Sequence, residues 1–368
     1  MQIFKKIEEK NHEQVVFCSN KESGLKAIIA IHDTTLGPSL GGCRTWQYEN
    51  EDEALIDVLR LSRGMTYKSA AAGLNLGGGK AVIIGNSKKI KTESLFRAFG
   101  RFVQSLGGRY ITAEDVGTTV CDMEFVHMET DFVTGIRRDL GGSGDPSPVT
   151  AFGVYHGIKA SLKQLFGNDS LDGKKIIVQG LGHVGFNLMQ HLIPDGAIVT
   201  ATDIDMDNIK NVVKEYPSVK ITQYNKIYGV PCDVFVPCAL GGVINDYTLP
   251  KLKCSIIAGS ANNVLADEEK HSKILKEKGI LYAPDFVISA GGLINVANEL
   301  GGYNRKQALN QAAGIYDIVM QVFKIANDEN VTTLSAAKTL ARRRINRMSG
   351  LQKTFRSLPL RQRGRGIS

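Results

Sequence analysis

The stretch KIIVQGLGHVG, residues 175–185, places a glycine-rich turn directly after a short apolar strand. The turn has the spacing GxGxxG, in which small residues let backbone N–H groups approach a pyrophosphate at the start of a helix. An apolar helical segment follows, and then a strand that ends at Asp203. A carboxylate there accepts hydrogen bonds from the ribose hydroxyls and repels a 2′-phosphate. The pattern therefore predicts a dinucleotide site that takes NAD rather than NADP. The six residues of the turn are Gly180, Leu181, Gly182, His183, Val184 and Gly185.

Further short apolar strands continue the pattern on both sides of this turn. They cover residues 174–179, 198–202, 233–236 and 255–258 and alternate with helical or turn segments. Alternation of this kind is typical of a parallel sheet with helices on both faces. The second half of the chain is therefore predicted to be a Rossmann-type, doubly wound domain.

The N-terminal part reads as a separate α/β unit. Strands are predicted at 25–31, 81–85 and 109–112, and helices at 51–62 and 92–105. The stretch GGSGDPSP at 141–148 has the composition of a hinge. We predict an α/β protein of two domains, with a substrate-binding and catalytic domain at 1–140 and an NAD-binding domain at 141–330. Residues 331–368 are predicted to form a C-terminal helix, which packs back on the first domain, and a basic tail.

Composition places the chain among ordinary globular proteins, with 43% hydrophobic and 22% charged residues out of 368. No apolar run approaches the roughly 18 residues that a membrane span needs, and the N-terminus lacks an apolar signal core. We expect a cytoplasmic protein with no membrane partner. The six cysteines show no CxxC pair, and no histidine cluster has metal-ligand spacing. Buried free thiols and no metal site are expected.

The net charge of +8 is concentrated at the C-terminus. Residues 341–368 contain nine Lys or Arg and no Asp or Glu, so the rest of the chain is close to neutral. The tail has Phe355 as its single aromatic residue and no recognisable nucleic-acid fold. We predict a frayed or oligomer-contacting tail and no nucleic-acid partner.

A second glycine run, LNLGGGKAVI at 74–83, looks like a phosphate-binding loop. That motif requires Gly where Leu74 stands and Ser or Thr where Ala81 stands, and a strand follows instead of a helix. The glycines are predicted to make a tight turn into that strand. Small residues flank Lys80 here and Lys68 in GMTYKSAAAG, which favours close approach of a ligand. Asp115 in TAEDVGTT is a third candidate, unless it caps the segment that follows.

Several long stretches together resemble the amino-acid dehydrogenase family that includes glutamate, leucine, valine and phenylalanine dehydrogenases, the leucine-type members above all. They span nearly the whole chain up to about residue 330. The matching stretches are IIAIHDTTLGPSLGGCR (28–44), VLRLSRGMTYKSAAAGLNLGGGKAVIIG (58–85), RYITAEDVGTT (109–119), VTGI (133–136), IVQGLGHVG (177–185), PCALGGVIND (237–246), IAGSANN (257–263) and YAPDFVISAGGLINV (282–296).

The resemblance implies reversible oxidative deamination, in which an L-amino acid, NAD⁺ and water give a 2-oxo acid, ammonium and NADH. It implies that Lys68 pairs with the substrate carboxylate, helped by the backbone of Gly41 and Gly42. Lys80 would activate the attacking water, and Asp115 would carry protons to and from the amino group. Desolvation and a second nearby cation bring a basic lysine to a pKa of roughly 7 to 8.

The resemblance also implies the remaining contacts and partners. Thr150 and Asn262 would hold the nicotinamide end of the cofactor, and Ala239 would lie near the ribose. Closure at the hinge would exclude water and align the reacting atoms. The partners would be a small amino acid, its 2-oxo acid, and further copies of the chain in a dimer or an octamer.

The implied side-chain pocket is apolar. Its lack of charge disfavours glutamate, because an unpaired buried carboxylate is costly. Ala113 favours a branched aliphatic side chain such as that of leucine, with valine and isoleucine as further substrates, whereas Leu293 matches aromatic-type relatives. A phenylalanine- or tryptophan-type dehydrogenase is therefore the alternative, and a non-catalytic NAD-binding regulator a remote one. The pocket residues are Leu40, Met65, Ala113, Leu293 and Val296.

Overall fold

The computed structural model describes residues 2–350, so most of the predicted basic tail lies outside the described residues. Two six-stranded sheets form the body of the molecule. As predicted, the chain has an α/β fold in which a Rossmann-type parallel sheet follows an N-terminal α/β unit.

The N-terminal unit surrounds the first sheet. Its strands are β1 (Gln14–Asn20), β2 (Leu25–Asp33), β3 (Ser39–Leu40), β4 (Cys43–Trp46), β5 (Gly77–Ile84) and β6 (Tyr110–Ile111). Its helices are α1 (Ile3–Glu9), α2 (Glu51–Ala71), α3 (Ser87–Ile90), α4 (Glu93–Ser105) and α5 (Val120–His127).

The first sheet is mixed, in the order β1-β2-β5-β3-β6, with β4 also paired to β5. Strands β1, β2 and β5 are antiparallel neighbours, whereas β3 and β4 run parallel to β5 along the same edge. Apolar residues of α2 cover one face of the sheet, and those of α4 and α5 cover the other. Helix α2 starts at Asn50, whose side chain accepts a hydrogen bond from the Glu53 N–H, and it runs nine residues beyond the predicted end.

The glycine run was wrongly predicted as a turn, because the structure places it inside strand β5. A Cβ on Gly77 would lie 2.0 Å from the Asp33 carbonyl oxygen, and one on Gly78 would lie 2.1 Å from the Thr66 nitrogen. A Cβ on Gly79 would lie 2.7 Å from the Tyr110 ring. Glycine is required here because α2 and the neighbouring strands approach the β5 backbone too closely for any side chain.

The second sheet is entirely parallel, in the order β12-β11-β10-β7-β8-β9. The order reverses at β7, as in a doubly wound dinucleotide-binding sheet, where ligands bind beyond the carboxyl ends of the strands. Its strands are β7 (Lys175–Gln179), β8 (Ile198–Thr202), β9 (Lys220–Ile221), β10 (Cys232–Pro237), β11 (Cys254–Ile257) and β12 (Leu281–Tyr282).

Nine helices accompany this sheet within the described range. They are α6 (Ser147–Phe166), α7 (His183–Leu192), α8 (Met206–Glu215), α9 (Glu268–Glu277), α10 (Asp285–Ile288), α11 (Gly291–Ala297), α12 (Arg305–Ala313), α13 (Ile315–Asp328) and α14 (Thr333–Ser349). Helix α6 already includes the last two residues of the predicted hinge. Helix α14 packs against α2, where Arg344 donates to the carbonyl oxygens of Gly73 and Leu74. Among the helices of residues 2–350, none combines the length and the apolar character of a membrane span.

The described cysteines are free thiols. Cys18 and Cys43 are buried, but Cys121 is exposed, contrary to the expectation that all would be buried. No group of three or more histidine, cysteine or acidic side chains in residues 2–350 is arranged to hold a metal ion.

A buried histidine pair makes the N-terminal unit sensitive to acid. His12 is 8% exposed, its Nε2 lies 2.9 Å from Ser62 Oγ, and its ring meets that of His32 at 4.8 Å. Burial, reinforced by His32, lowers the pKa of His12 to about 4. In the unfolded chain, His12 takes up a proton near the ordinary histidine pKa of about 6.5. In the folded chain, His12 takes up that proton only near pH 4.

Stability is consequently expected to fall as pH decreases from about 6.5 towards 4, by at most about 1.4 kcal/mol per unit of pKa difference. Urea unfolding at a series of pH values measures this slope, which should be shallower in His12→Asn than in the wild type. The matched control is His183→Asn, because that side chain is 82% exposed. Equal slopes in the wild type and His12→Asn would contradict the prediction.

Candidate active site

A buried ion pair joins two of the predicted catalytic residues. Lys80 lies on β5 and is 5% exposed, and its Nζ is 3.1 Å from Asp115 Oδ1. The other carboxylate oxygen of Asp115 accepts a hydrogen bond from Arg44 Nε at 3.0 Å. Burial alone would raise the pKa of Asp115, but the neighbouring Lys80 and Arg44 cations outweigh burial and hold the pKa below its usual value. The arrangement keeps an ionised carboxylate next to an amine in a site largely shielded from water.

Asp115 does not cap a helix, which removes the alternative considered for it. The next helix, α5, is capped by Thr119, whose hydroxyl accepts from the Asp122 N–H while the Asp122 carboxylate accepts from the Thr119 N–H. The Asp115 N–H instead donates to Thr118 Oγ1 at 2.8 Å. The Asp115 carboxylate is thus left to the two cations.

Arg44 also forms a second ion pair, with Asp57. Its NH1 donates to Asp57 Oδ2 at 3.1 Å, and the same oxygen accepts the Tyr48 hydroxyl at 2.8 Å. Arg60 donates to the other oxygen of Asp57 at 2.9 Å. Charges therefore alternate in sign from Arg60 at the surface, through Asp57 and Arg44, to Asp115 and Lys80.

Lys68 lies in the last turn of α2 and contacts one residue after β11 and one after β12 of the second sheet. Its Nζ donates to Ser289 Oγ at 3.0 Å and to Asn262 Oδ1 at 3.5 Å. Burial lowers the pKa of Lys68 to about 8, with a further lowering from Lys80, against an opposing effect of Asp285. The two lysines are thus electrostatically coupled, and Lys68 connects the two halves of the molecule.

Gly41 and Gly42 form the gap between β3 and β4, beside the glycine run of β5. A Cβ on Gly41 would lie 1.8 Å from the Gly79 carbonyl oxygen, and one on Gly42 would lie 2.4 Å from the Glu114 carbonyl oxygen. The buried Tyr110 hydroxyl donates to the Gly41 carbonyl at 2.6 Å. These contacts hold the Gly41–Gly42 backbone tightly between the strands that carry Lys80 and precede Asp115.

An apolar cluster brings together side chains from both halves of the chain. Leu40, from β3, packs in one buried cluster with Leu293 and Val296, from α11, and Met65 of α2 lies against that cluster. Ala113 is buried but lies outside the cluster, where its carbonyl oxygen accepts from the Cys43 N–H at 2.7 Å. The cluster carries no charged group, so it suits an apolar side chain.

The glycine-rich turn lies between β7 and α7. Gly180 has φ of 100°, and a Cβ on Gly185 would lie 2.0 Å from the Gly180 carbonyl oxygen. A Cβ on Gly182, just before α7, would meet nothing within 4 Å. The backbone at the N-terminus of α7 is thus open to a ligand, which fits a bound pyrophosphate.

Asp203, the predicted ribose partner, lies next to the glycine turn. Its Oδ2 accepts from the Leu181 N–H at 2.5 Å, which ties the end of β8 to the glycine turn. Ala239 lies on the other side of the turn, since a Cβ on Gly180 would come within 2.8 Å of the Ala239 Cβ. Val184 is half-buried on α7, and His183 is exposed, with Nδ1 3.5 Å from Asp145 Oδ2.

The two predicted nicotinamide contacts lie on different elements of the second half of the chain. Asn262 follows β11 and approaches Lys68, as described above. Thr150 is buried in the first turn of α6, where its hydroxyl donates to the Pro146 carbonyl oxygen at 2.9 Å. A Cβ on Gly292 would lie 2.7 Å from Thr150 Oγ1, so Thr150 faces the start of α11.

Two family models cover most of the chain. Residues 12–132 match the family described as Glu/Leu/Phe/Val dehydrogenase, dimerisation domain, and residues 141–352 match Glutamate/Leucine/Phenylalanine/Valine dehydrogenase. The chain belongs to this family. The protein is thus an amino-acid dehydrogenase, and its family implies a nicotinamide cofactor.

Individual relatives of this dehydrogenase are similar over nearly their whole lengths. Leucine dehydrogenase of Geobacillus stearothermophilus is 58% identical over 355 residues, which cover 96% of each chain. Phenylalanine dehydrogenase of Lysinibacillus sphaericus is 52% identical, over 91% of this chain and 88% of the relative. The crystal structure of L-tryptophan dehydrogenase from Nostoc punctiforme superposes with a TM-score of 0.82 at 47% identity, over 94% of this chain and 99% of that one.

Several residues near the candidate site were not predicted from the sequence. Arg44 and Ser289 contact predicted site residues directly, and Leu76 and Ile111 complete the apolar pocket. Glu114 lies beside Asp115, and burial, with Asp145 nearby, raises its pKa to about 7. A charged residue within a short β-strand is a signal that would have identified Arg44. Leu76 and Ile111 had no such signal, because apolar residues next to strands are common.

Proposed function

We propose that the enzyme catalyses the reversible oxidative deamination of a branched-chain aliphatic L-amino acid, leucine above all and also valine and isoleucine. The products are the 2-oxo acid, ammonium and NADH, formed from the amino acid, water and NAD⁺. The observation that carries the proposal is the buried Lys80–Asp115 pair, which is electrostatically coupled to Lys68 and accompanied by an uncharged apolar cluster. In this proposal residues 1–140 bind the substrate and residues 141–330 bind the cofactor.

The catalytic roles follow from charge and position. Lys68 is a cation to which a substrate carboxylate can bind, and the Gly41–Gly42 backbone would assist it. Asp115 is ionised and therefore able to take a proton from the substrate ammonium group. Bound NAD⁺ supplies the hydride acceptor for the substrate Cα. Once Asp115 has taken the substrate proton, the Lys80 ammonium group has lost its counter-charge and releases its own proton to solvent. The neutral Lys80 amine then takes a proton from the water that attacks the resulting imine, and Asp115 returns a proton to the departing amine.

The side-chain preference follows from the chemistry of the pocket. Leu40, Leu76, Ile111, Leu293 and Val296 are all buried and apolar. A glutamate substrate would have to bury its second carboxylate among them without a partner, which is costly. Leucine-type relatives at 55–58% identity also favour leucine over the aromatic substrates named for more distant relatives.

The proposed cofactor is NAD rather than NADP, and the proposal depends on Asp203. Its carboxylate lies next to the glycine turn, where it would accept hydrogen bonds from the ribose hydroxyls and repel a 2′-phosphate. In this proposal the glycine turn binds the pyrophosphate, Ala239 lies near the ribose, and Thr150 and Asn262 hold the nicotinamide end.

Asp203→Ala is expected to weaken NADH binding by about 10- to 100-fold, since hydrogen bonds to a charged group are worth about 1.5–3 kcal/mol. The preference for NAD⁺ over NADP⁺ should fall as well, because the repulsive charge is gone. Fluorescence titration with NADH and NADPH measures both effects. Asp207→Asn, on an exposed carboxylate of α8, is the matched control. Unchanged NADH affinity in Asp203→Ala would refute the ribose assignment.

We also propose that the enzyme is a cytoplasmic homo-oligomer, a dimer or an octamer, that acts on small molecules and binds no nucleic acid. Residues 12–132 match a family described as a dimerisation domain, which supports self-association through the N-terminal unit.

The test of the function is a substrate panel with the purified protein. Formation of reduced cofactor is followed by absorbance with NAD⁺ or NADP⁺ and L-leucine, L-valine, L-isoleucine, L-phenylalanine, L-tryptophan or L-glutamate. We expect the highest kcat/KM with leucine and NAD⁺. A preference for phenylalanine or tryptophan would favour the aromatic alternative, and failure to oxidise any of them would overturn the proposal.

A further inference from the structure

A buried carboxylate lies at the junction of the two halves of the molecule, outside the catalytic residues. Glu299 is 1% exposed and belongs to the 3₁₀ turn Asn298–Gly301, immediately after α11. Its Oε1 accepts the Ser143 hydroxyl at 2.5 Å, the Ser143 N–H at 2.9 Å and the Gly135 N–H at 3.0 Å. Its Oε2 lies 3.1 Å from the same Gly135 nitrogen. Glu299 thus bonds to two segments that are distant from it in the sequence.

Those two segments enclose the connection between the first sheet and α6. Gly135 follows Thr134, whose N–H donates to the Thr112 carbonyl oxygen beside β6. Ser143 lies four residues before α6 begins. The connection folds back on itself between them, since the Gly144 N–H donates to the Ile136 carbonyl oxygen at 3.1 Å. Glu299 therefore closes the base of this loop.

The other side of the junction is the helix that lines the pocket. Helix α11 has only seven residues, and it carries Leu293 and Val296, which contact Leu40 of the first sheet. Glu299 lies two residues after the C-terminal end of α11. Because the helix is short, the anchor at its C-terminal end has a strong influence on where its side chains lie.

Buried charges need several well-placed hydrogen bonds to offset their lost hydration. Donors from the hydroxyl and from both backbone segments have defined positions, so the carboxylate holds α11 at a fixed distance from the first sheet. We propose that Glu299 is a positioning residue that sets the side-chain selectivity of the pocket by fixing α11 against the substrate-binding half.

This inference rests on the proposed function for its kinetic readout. Glu299→Gln keeps the shape of the side chain but replaces one carboxylate oxygen by an amide NH₂. If the remaining oxygen keeps the hydrogen bonds from Ser143, the NH₂ group faces the Gly135 N–H, and two donors then oppose each other. Ser143→Ala removes one donor and leaves Glu299 in place. Ser161→Ala is the matched control, because that buried hydroxyl donates to the Gly157 carbonyl oxygen within α6.

The measurement is the ratio of kcat/KM for L-leucine to kcat/KM for L-alanine. A shifted α11 loses contacts with the leucine side chain that alanine never makes, so the ratio should fall at least about fivefold in Glu299→Gln and less in Ser143→Ala. Loss of stability alone lowers both values equally and leaves the ratio unchanged. A leucine-to-alanine ratio within twofold of the wild type in a folded Glu299→Gln would overturn the inference. If Glu299→Gln does not fold, an unchanged ratio in Ser143→Ala would overturn it instead.

Hydrogen exchange provides a readout that does not depend on activity. Exchange at residues 291–297 and 135–143 should be faster in Glu299→Gln or Ser143→Ala than in the wild type, and unchanged in Ser161→Ala. Wild-type protein that oxidises no member of the panel would overturn the proposed function, while exchange would still test the anchor. Unchanged exchange in both segments would overturn the anchor whatever the activity.

Discussion

Lys80→Ala is expected to lower kcat for leucine oxidation by about 10²- to 10⁴-fold, the usual contribution of a positioned acid or base. The variant removes the amine that faces Asp115 at 3.1 Å in a site nearly closed to water. No other described lysine forms an ion pair with Asp115. NADH binding should stay near the wild-type value, because Lys80 belongs to the first sheet and the glycine turn to the second.

Steady-state kinetics and NADH titration on the same preparation test the two halves of this expectation. Lys26→Ala is the matched control, since that lysine lies on the neighbouring strand β2 with an exposed side chain. Near-wild-type turnover in Lys80→Ala would show that another group serves as the base. Loss of turnover together with loss of NADH binding would indicate a structural effect instead.

Asp115→Asn is the second variant for which a large loss of turnover is expected, again about 10²- to 10⁴-fold in kcat. The substitution keeps the side-chain shape and removes the charge that two cations neutralise, Lys80 at 3.1 Å and Arg44 at 3.0 Å. The amide cannot accept a proton from the substrate. Stability should also fall, because Lys80 then lies buried without a counter-charge and Arg44 keeps only that of Asp57.

Kinetics as a function of pH, with thermal unfolding in parallel, separate these effects. The pKa of Asp115 is held below its usual value, so in the wild type the carboxylate contributes at neutral pH and its contribution is lost only as pH falls through that lowered pKa. Asp115→Asn should lack the corresponding acidic limb of the kcat profile. Asp131→Asn, on an exposed carboxylate of the same unit, is the control. A folded Asp115→Asn enzyme with more than about a tenth of wild-type kcat would contradict the proton-transfer role.

Local patterns in the sequence accounted for much of the fold. The alternation of strands and helices predicted the doubly wound sheet, and β8 lies within the predicted bounds. The glycine turn after β7 and the carboxylate after β8 lie together, as their spacing indicated. These features depend on residues close in the chain, whose geometry the peptide backbone limits to few arrangements.

Errors arose where one strand contacts another part of the fold. The run Gly77–Gly79 has the local composition of a turn, yet it forms a strand. The reason is the closeness of Thr66 in α2 and Tyr110 in β6, and both contacts depend on how the elements pack. Local composition reports backbone freedom, but it contains no information on which elements come into contact.

By itself, the sequence determined the fold class and the parallel sheet around the glycine turn, and its family motifs indicated Lys80 and Asp115 as the candidate catalytic pair. Only the tertiary structure decided which side chains share the cleft. Leu40 meets Leu293, Arg44 meets Asp115, and Glu299 meets Ser143 across wide separations in the chain. Such contacts depend on how the strands and helices of the two halves pack against each other. Burial and charge pairing between distant residues act only after the chain has folded back on itself.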